Sequence, residues 1–163
     1  MDTSKRISLI DSQLLVDYIL KKYGPMSHLK LQKLLYYCEA YHLAYFDDSL
    51  INDEFEAWIH GPVSRKIYNE LKDKSILYTD LSFNNSYNTE KALKEKLTID
   101  QFQLINDVLE ELSSWTGFEL ENATHSELPW IEARNGYSPA DRCENIISKT
   151  TMKTFYQNEL NAN

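Results

Sequence analysis

Four histidines, His28, His42, His60 and His125, are the side chains of this sequence best suited to acid–base or metal chemistry. His42 follows Glu39 by three residues, which on a helix brings the two onto one face as a potential ligand pair. A metal needs three or four ligands, and no HxxxH or Cys/His cluster supplies the rest. His60 precedes Gly61-Pro62, and His125 stands two residues before Glu127 in "ATHSELPW". A meeting of His60, His125 and Glu127 in space would make a hydrolase-like acid–base or metal site. The alternative is that His125 and Glu127 bond backbone groups and fix the corner before Pro129. His28, at a helix start, is expected to be exposed.

Other routes to chemistry are closed. There is no GxSxG, no GxxxxGK[ST] and no GxGxxG. Cys38 falls on an apolar helical stripe, where a thiol is inert, and Cys143 is read in a near-helical stretch. The sequence is therefore read as a non-enzyme, with no metal and no cofactor.

These residues are positioned by a mainly helical pattern. Asp11 caps a helix to Tyr23, with Lys21 and Lys22 at its negative end and Gly24 as a left-handed stop before Pro25. Ser27 caps a longer helix, residues 27–46, that is apolar over most of its girth and so belongs at the centre of the core. Phe55, Ala57 and Ile59 alternate as in a strand. Gly61-Pro62 then turns a corner, proline fits a first helical turn, and Val63, Ile67 and Leu71 predict a helix to about Lys74.

Ile76 to Tyr78 reads as a short strand and "SFNNSYNTE" as a loop. Thr98 with Gln101 forms a capping box for a helix to Thr116, ended by Gly117. Short helices are expected at Phe118 to Thr124 and from Pro129 to near Gly136, a turn at Ser138–Asp141, and a last helix after Ser148. The expected fold is α+β, predominantly helical: about six helices around the helix 27–46, with a small antiparallel β element near 50–60 and 76–83. No repeat or linker interrupts the pattern, so 1–163 is read as one domain.

Composition narrows the function. The net charge is −8, with six acids and no Lys or Arg in 39–60, and seven acids and no Lys or Arg in 99–127. Nucleic-acid binders need a basic face, so the acidic blocks suit a basic partner or simply a solvated surface. The second helix is also too apolar to lie in a DNA groove. No run reaches the roughly 18 apolar residues that span a bilayer, and "MDTSKRISLIDSQ" does not read as a signal peptide. Two isolated cysteines suit a reducing cytoplasm. Eleven tyrosines exceed the needs of a core this size, and some are expected at a contact surface.

Three separated segments then carry a resemblance. "LKLQKLLYYCEAYHLAYF", "EFEAWIHGPVSRKIYNELK" and "THSELPWIEARNG", followed by "IISKTTMKTFY", resemble the Panacea domain of SocA-like antitoxins and phage-associated GepA proteins. The family pattern looks like K-L-Q-K-L-x-Y-Y, E-A-W-x-x-G-P-V and T-H-x-E-x-P-W. Lys30, Leu31, Lys33, Leu34, Tyr36 and Tyr37 match the first part. Ala57, Trp58, Gly61, Pro62 and Val63 match the second, and Thr124, His125, Glu127, Pro129 and Trp130 the third. Ser64 departs from the pattern, where the family often has an apolar residue.

The resemblance implies a bacterial or phage cytoplasmic protein that neutralises a toxin encoded by an adjacent gene, by direct protein–protein binding. It also admits a proteolytic adaptor that delivers the toxin to a ClpXP-type protease. The motif residues are structural or partner-binding. Tyr36, Tyr37, Trp58 and Trp130 belong to the core or its margin, or else one or two of them anchor the toxin. The expected contact set is Tyr37, Trp58, Arg65, Tyr68 and Arg134. Gly61-Pro62 is read as a structural corner whose following helix start could hold an acid such as Glu127.

Overall fold

The structure, a computed structural model, describes residues 9–74 and 79–162. Helix α1 (Ser12–Tyr23) starts as its cap predicts, with the Gln13 N–H donating to the Asp11 carboxylate at 3.0 Å. Its end differs from expectation. Gly24 is extended (φ −77, ψ 176) rather than left-handed, and the Gly24–Pro25 peptide bond is cis. Glycine is required there by crowding, since a Cβ would stand 2.5 Å from the Leu20 carbonyl oxygen.

Strand β1 (Met26–Ser27) leads into α2 (His28–Phe46), whose first turn is capped by Ser27 through the Lys30 N–H at 3.1 Å. Fifteen of the 19 residues of α2 are buried, as an all-round apolar pattern requires. His28 is among them, fully buried rather than exposed, with the Tyr68 ring stacked on it at 5.7 Å and Gln32 Nε2 3.1 Å from its Nε2.

Strands β2 (Phe55–Trp58) and β3 (Gly61–Ser64) form an antiparallel hairpin with Trp58 opposite Gly61. Helix α3 (Arg65–Leu71) follows directly. Pro62 therefore lies in a strand, not in the first turn of a helix. The positive φ of Gly61 (+102) reverses the chain within two residues, and the ring of Pro62 is compatible with extended backbone. Ser64 starts the helix instead: its Oγ accepts from the Ile67 N–H and donates to Asp53 at 2.6 Å. The departure from the family pattern at Ser64 is thus a cap, and the acid beside this helix start is Asp53, held by the Ser64 hydroxyl, not Glu127.

Beyond α3, β4 (Asp80–Leu81) pairs with β1, so the second β element joins residues 26–27 and not the 50–60 hairpin. The strand expected at 76–78 lies outside the described residues. Helix α4 (Thr89–Lys96) begins inside the stretch expected as a loop and is an addition; Leu93 is its one fully buried apolar residue. Helices α5 (Ile99–Leu112) and α6 (Gly117–His125) each begin with a capping box, Thr98/Gln101 and Thr116/Glu119. Gly117 opens α6 rather than closing α5.

Helix α7 (Leu128–Ala133) carries Pro129 in its first turn, and Ser148 caps α8 (Lys149–Asn161). Between them the chain is extended around Cys143, not helical, and lies along β2: Ala57 N–H donates to Asn145 O at 2.8 Å and Ile147 N–H to Phe55 O at 2.7 Å. Helix α2 packs against α8, α5, α6 and β3 at once and is the hub of the fold. The result is a predominantly helical α+β molecule with small antiparallel strand pairs. No described helix is long and apolar enough to cross a membrane.

Candidate functional site

The motif residues converge where α2 meets the β2–β3 hairpin. Lys33 is fully buried, and its Nζ donates to the Pro62 carbonyl oxygen at 2.9 Å. Its stem runs under Gly61: a Cβ on Gly61 would meet Lys33 Cε at 2.5 Å and Thr124 Oγ1 at 2.9 Å. Burial pushes the Lys33 ammonium down to about 7, partly countered by the nearby Glu121 carboxylate. One residue earlier, Gln32 exchanges two bonds with the backbone of Ser64, N–H to Oε1 at 2.9 Å and Nε2 to the carbonyl at 3.2 Å. The side chain thereby acts as an extra strand residue. Gln32 is the glutamine of the K-L-Q-K-L pattern, and its part in the site is this pairing with the Ser64 backbone.

His60 and His125 lie within electrostatic reach of each other and of Glu121. His60 Nδ1 lies 3.2 Å from Glu121 Oε2. His125 stacks on Trp130 with ring centroids 4.2 Å apart, and burial lowers its pKa. Glu127 is committed elsewhere: its Oε1 accepts from Tyr37 at 2.8 Å and from Tyr156 at 2.7 Å. The His60–His125–Glu127 trio therefore does not assemble; Glu121, one helical turn before His125 on α6, is the carboxylate beside His60. His42 and Glu39 are not a ligand pair either. His42 Nδ1 is 2.7 Å from the Asp48 carbonyl and its Nε2 3.0 Å from Gln101 Nε2, so both ring nitrogens are occupied by structural bonds. Glu39, also buried, receives the N–H groups of Leu50 and Ile51 and the ammonium of Lys149 at 2.9 Å.

The expected contact residues divide between surface and interior. Trp58, Arg65 and Tyr68 line one groove of about 280 Å³ together with His60, Arg142 and Glu144. Arg65 lies over the Trp58 ring at 5.2 Å, and Trp58 meets Tyr68 edge to face at 4.9 Å. Glu56 holds Arg65 through both oxygens (2.9 and 2.8 Å) and also accepts the Trp58 indole N–H at 2.8 Å. Arg134, in contrast, is buried under the hairpin. Its guanidinium bonds the carbonyls of Ala57 (2.7 Å) and Ser138 (2.9 Å) and stacks on Trp130 at 4.8 Å. Trp130 donates its indole N–H to the Trp58 carbonyl at 2.9 Å. Tyr37 is buried too, within an aromatic cluster with Tyr36 and Tyr156.

The arrangement is that of a scaffold. Inward-facing motif side chains hold a hairpin in place, and Trp58 of that hairpin with Arg65 and Tyr68 of α3 forms a partly exposed wall. The family model of the SocA-like antitoxin, Panacea domain, matches residues 31–131, the stretch that runs from α2 through the hairpin to α7. No curated protein and no solved structure matches the chain. The match spans the larger part of the sequence and contains Gln32, Lys33, Gly61, Pro62 and Trp130, the residues that build the buried corner; the chain belongs to the SocA-like antitoxin family and carries its Panacea domain.

Proposed function

We propose that the chain neutralises a cognate protein toxin, encoded by an adjacent gene, by direct one-to-one binding. Membership of the SocA-like antitoxin family is the observation that carries this reading. His42 and Glu127 are each held by internal bonds, which supports a binding role over a catalytic one for these two groups. We place part of the contact at Trp58, Arg65 and Tyr68. Aromatic and arginine side chains that are half exposed and already held in position lose little freedom on binding, which suits an interface anchor.

The test is co-expression. The adjacent gene is induced with and without this chain, and the complex is recovered through a tag on this chain. Growth rescue with a stoichiometric complex, weakened by Trp58→Ala or Arg65→Ala, is the expected result. A neighbour that is harmless by itself overturns the reading. Rescue with no complex and a shortened toxin half-life replaces direct binding with delivery to a ClpXP-type protease.

A further inference from the structure

A second groove, of about 400 Å³, shares no lining residue with the first. It lies along α2, α5 and the end of α8, and reaches Leu120 and Ala123 of α6. Its rim is aromatic and apolar: Tyr45 is 64% exposed, Leu160 39% and Trp115 37%. Tyr41 lies deeper, stacked on Tyr37 with ring centroids 6.2 Å apart. Among the described residues, four carboxylates, Asp107, Glu111, Glu127 and Glu159, line the same space, and no lysine, arginine or histidine does. The acidic block 99–127 of the sequence thus has a specific address: three of these four carboxylates come from it.

Carboxylates spread over a solvated face attract nothing in particular. Carboxylates set among aromatic rings are selective. The faces of Tyr41, Tyr45 and Trp115 carry negative quadrupole potential, and a cation lying on them gains from both ring and carboxylate. A guanidinium suits this best, because it stacks flat and forks to a carboxylate at once. At the inner end the hydroxyls of Tyr37 and Tyr156 fix Oε1 of Glu127 in place. Burial raises its pKa, and a cation beside it favours the charged form. Four carboxylates repel a phosphate backbone, so nucleic acid is not the occupant.

We propose that this groove docks a Lys/Arg-bearing amphipathic segment of the partner protein. Its apolar side chains cover Trp115 and Leu160, and its cations lie on Tyr41 and Tyr45 between Glu111 and Glu127. The proposal rests on the reading of the chain as a protein-binding antitoxin and adds a second, charge-selected contact to the Trp58–Arg65–Tyr68 wall.

The probe is a short fluorescein-labelled amphipathic peptide of leucine and arginine in helical register, paired with its citrulline counterpart. Binding to the full chain is read by fluorescence anisotropy near physiological salt, where unpaired surface charges are screened beyond about 8 Å. The arginine peptide is expected to bind about tenfold more tightly than the citrulline peptide, the effect of one well-placed cation among rings and carboxylates. The double variant D107N/E111Q should remove most of that difference, and Trp115→Ala should weaken both peptides. A control double variant on exposed acids outside the groove, E54Q/E95Q, should leave it unchanged. Thermal melts confirm that each variant is folded.

Equal affinity for the two peptides overturns the proposal, and so does an equal loss in the control variant. Self-association of the chain that buries Trp115 overturns it as well. Growth rescue separates the two readings. Rescue with a one-to-one complex that is indifferent to D107N/E111Q overturns the groove and leaves the antitoxin. Arginine-selective binding without rescue by the co-expressed chain keeps the groove and overturns the antitoxin.

Discussion

The ammonium of Lys33 ends 2.9 Å from the carbonyl oxygen of Pro62, and the stem that carries it passes beneath Gly61. Lysine and corner are one device: the hairpin is close enough to α2 for this bond only because residue 61 has no side chain. Gly61→Ala should therefore act twice, through the positive φ and through the clash with Lys33 Cε. A loss of about 1–3 kcal/mol is expected, read as a lower urea midpoint with an unchanged slope. Gly136, also at positive φ (+91) but with nothing near its Cβ position, is the control and should cost less on conversion to alanine.

Lys33 also predicts a pH dependence. Burial holds its folded pKa at about 7, below its ordinary 10.5. Between those values the unfolded chain binds a proton that the folded chain has released, so stability rises with pH, by up to about 1.4 kcal/mol per unit from this group. Below pH 7 the cost of the buried charge is present in full. Lys33→Met removes that slope: urea midpoints at pH 6 and pH 9 should differ less in the variant than in the parent chain. A slope as steep in the variant would place the titration elsewhere.

On the acid side His28 contributes, beside His42 and His125, whose pKa values burial also lowers. Burial lowers the His28 pKa from 6.5 to about 4, so the folded chain keeps this ring neutral while the unfolded chain charges it. Stability should fall as pH drops from 6.5 towards 4. His28→Gln should lose that part of the fall, measured by thermal melts across the same window.

Arg134 and Arg65 should behave in opposite ways. Arg134→Lys cannot reproduce a fork that reaches the carbonyls of Ala57 and Ser138, and leaves a buried acceptor bare. A loss of about 1–3 kcal/mol is expected, since a bared buried acceptor carries its full desolvation penalty. Arg65→Ala removes a half-exposed ion pair and should cost less than about 1 kcal/mol in stability. Its effect should appear in toxin binding instead, so melts and pull-downs on the two variants should rank them in reverse order.

Tyr156→Phe should lower stability by about 1 kcal/mol, the usual value of one internal hydrogen bond. Its hydroxyl donates to Glu127, and it packs against Tyr36, Tyr37 and Tyr41. Without this donor the Glu127 carboxyl, already raised by burial, should rise further. Infrared detection of the protonated carboxyl against pH, with Glu127→Gln as the blank, reads that shift.

Much of the helical framework was legible because caps and apolar periodicity are local signals: Asp11, Ser27, Thr98 and Ser148 all begin helices where their side chains say they should. What escaped was long-range. Nothing in the neighbourhood of Pro62 distinguishes a strand from a helix start, since the choice depends on Gln32 and Lys33 reaching across from α2. Helix α4 escaped because one leucine gives no period. For the site, the contact set expected from the sequence joined Tyr37 and Arg134 to Trp58, Arg65 and Tyr68, and the structure buries the first two. The bonds that bury Arg134 go to carbonyl oxygens, which any sequence could offer.

Helix α2 is apolar on nearly every side, and its covers arrive late in the chain: the hairpin follows it, and α8 supplies the last wall and the Lys149 partner of Glu39. On the ribosome α2 emerges well before α8 is made. During that interval a wide hydrophobic surface and a carboxylate awaiting its cation stand unprotected, a state open to chaperones, proteases and aggregation. Synthesis rate and the crowd around the exit tunnel therefore bear on how much of this protein reaches its partner, independently of how stable the finished molecule is.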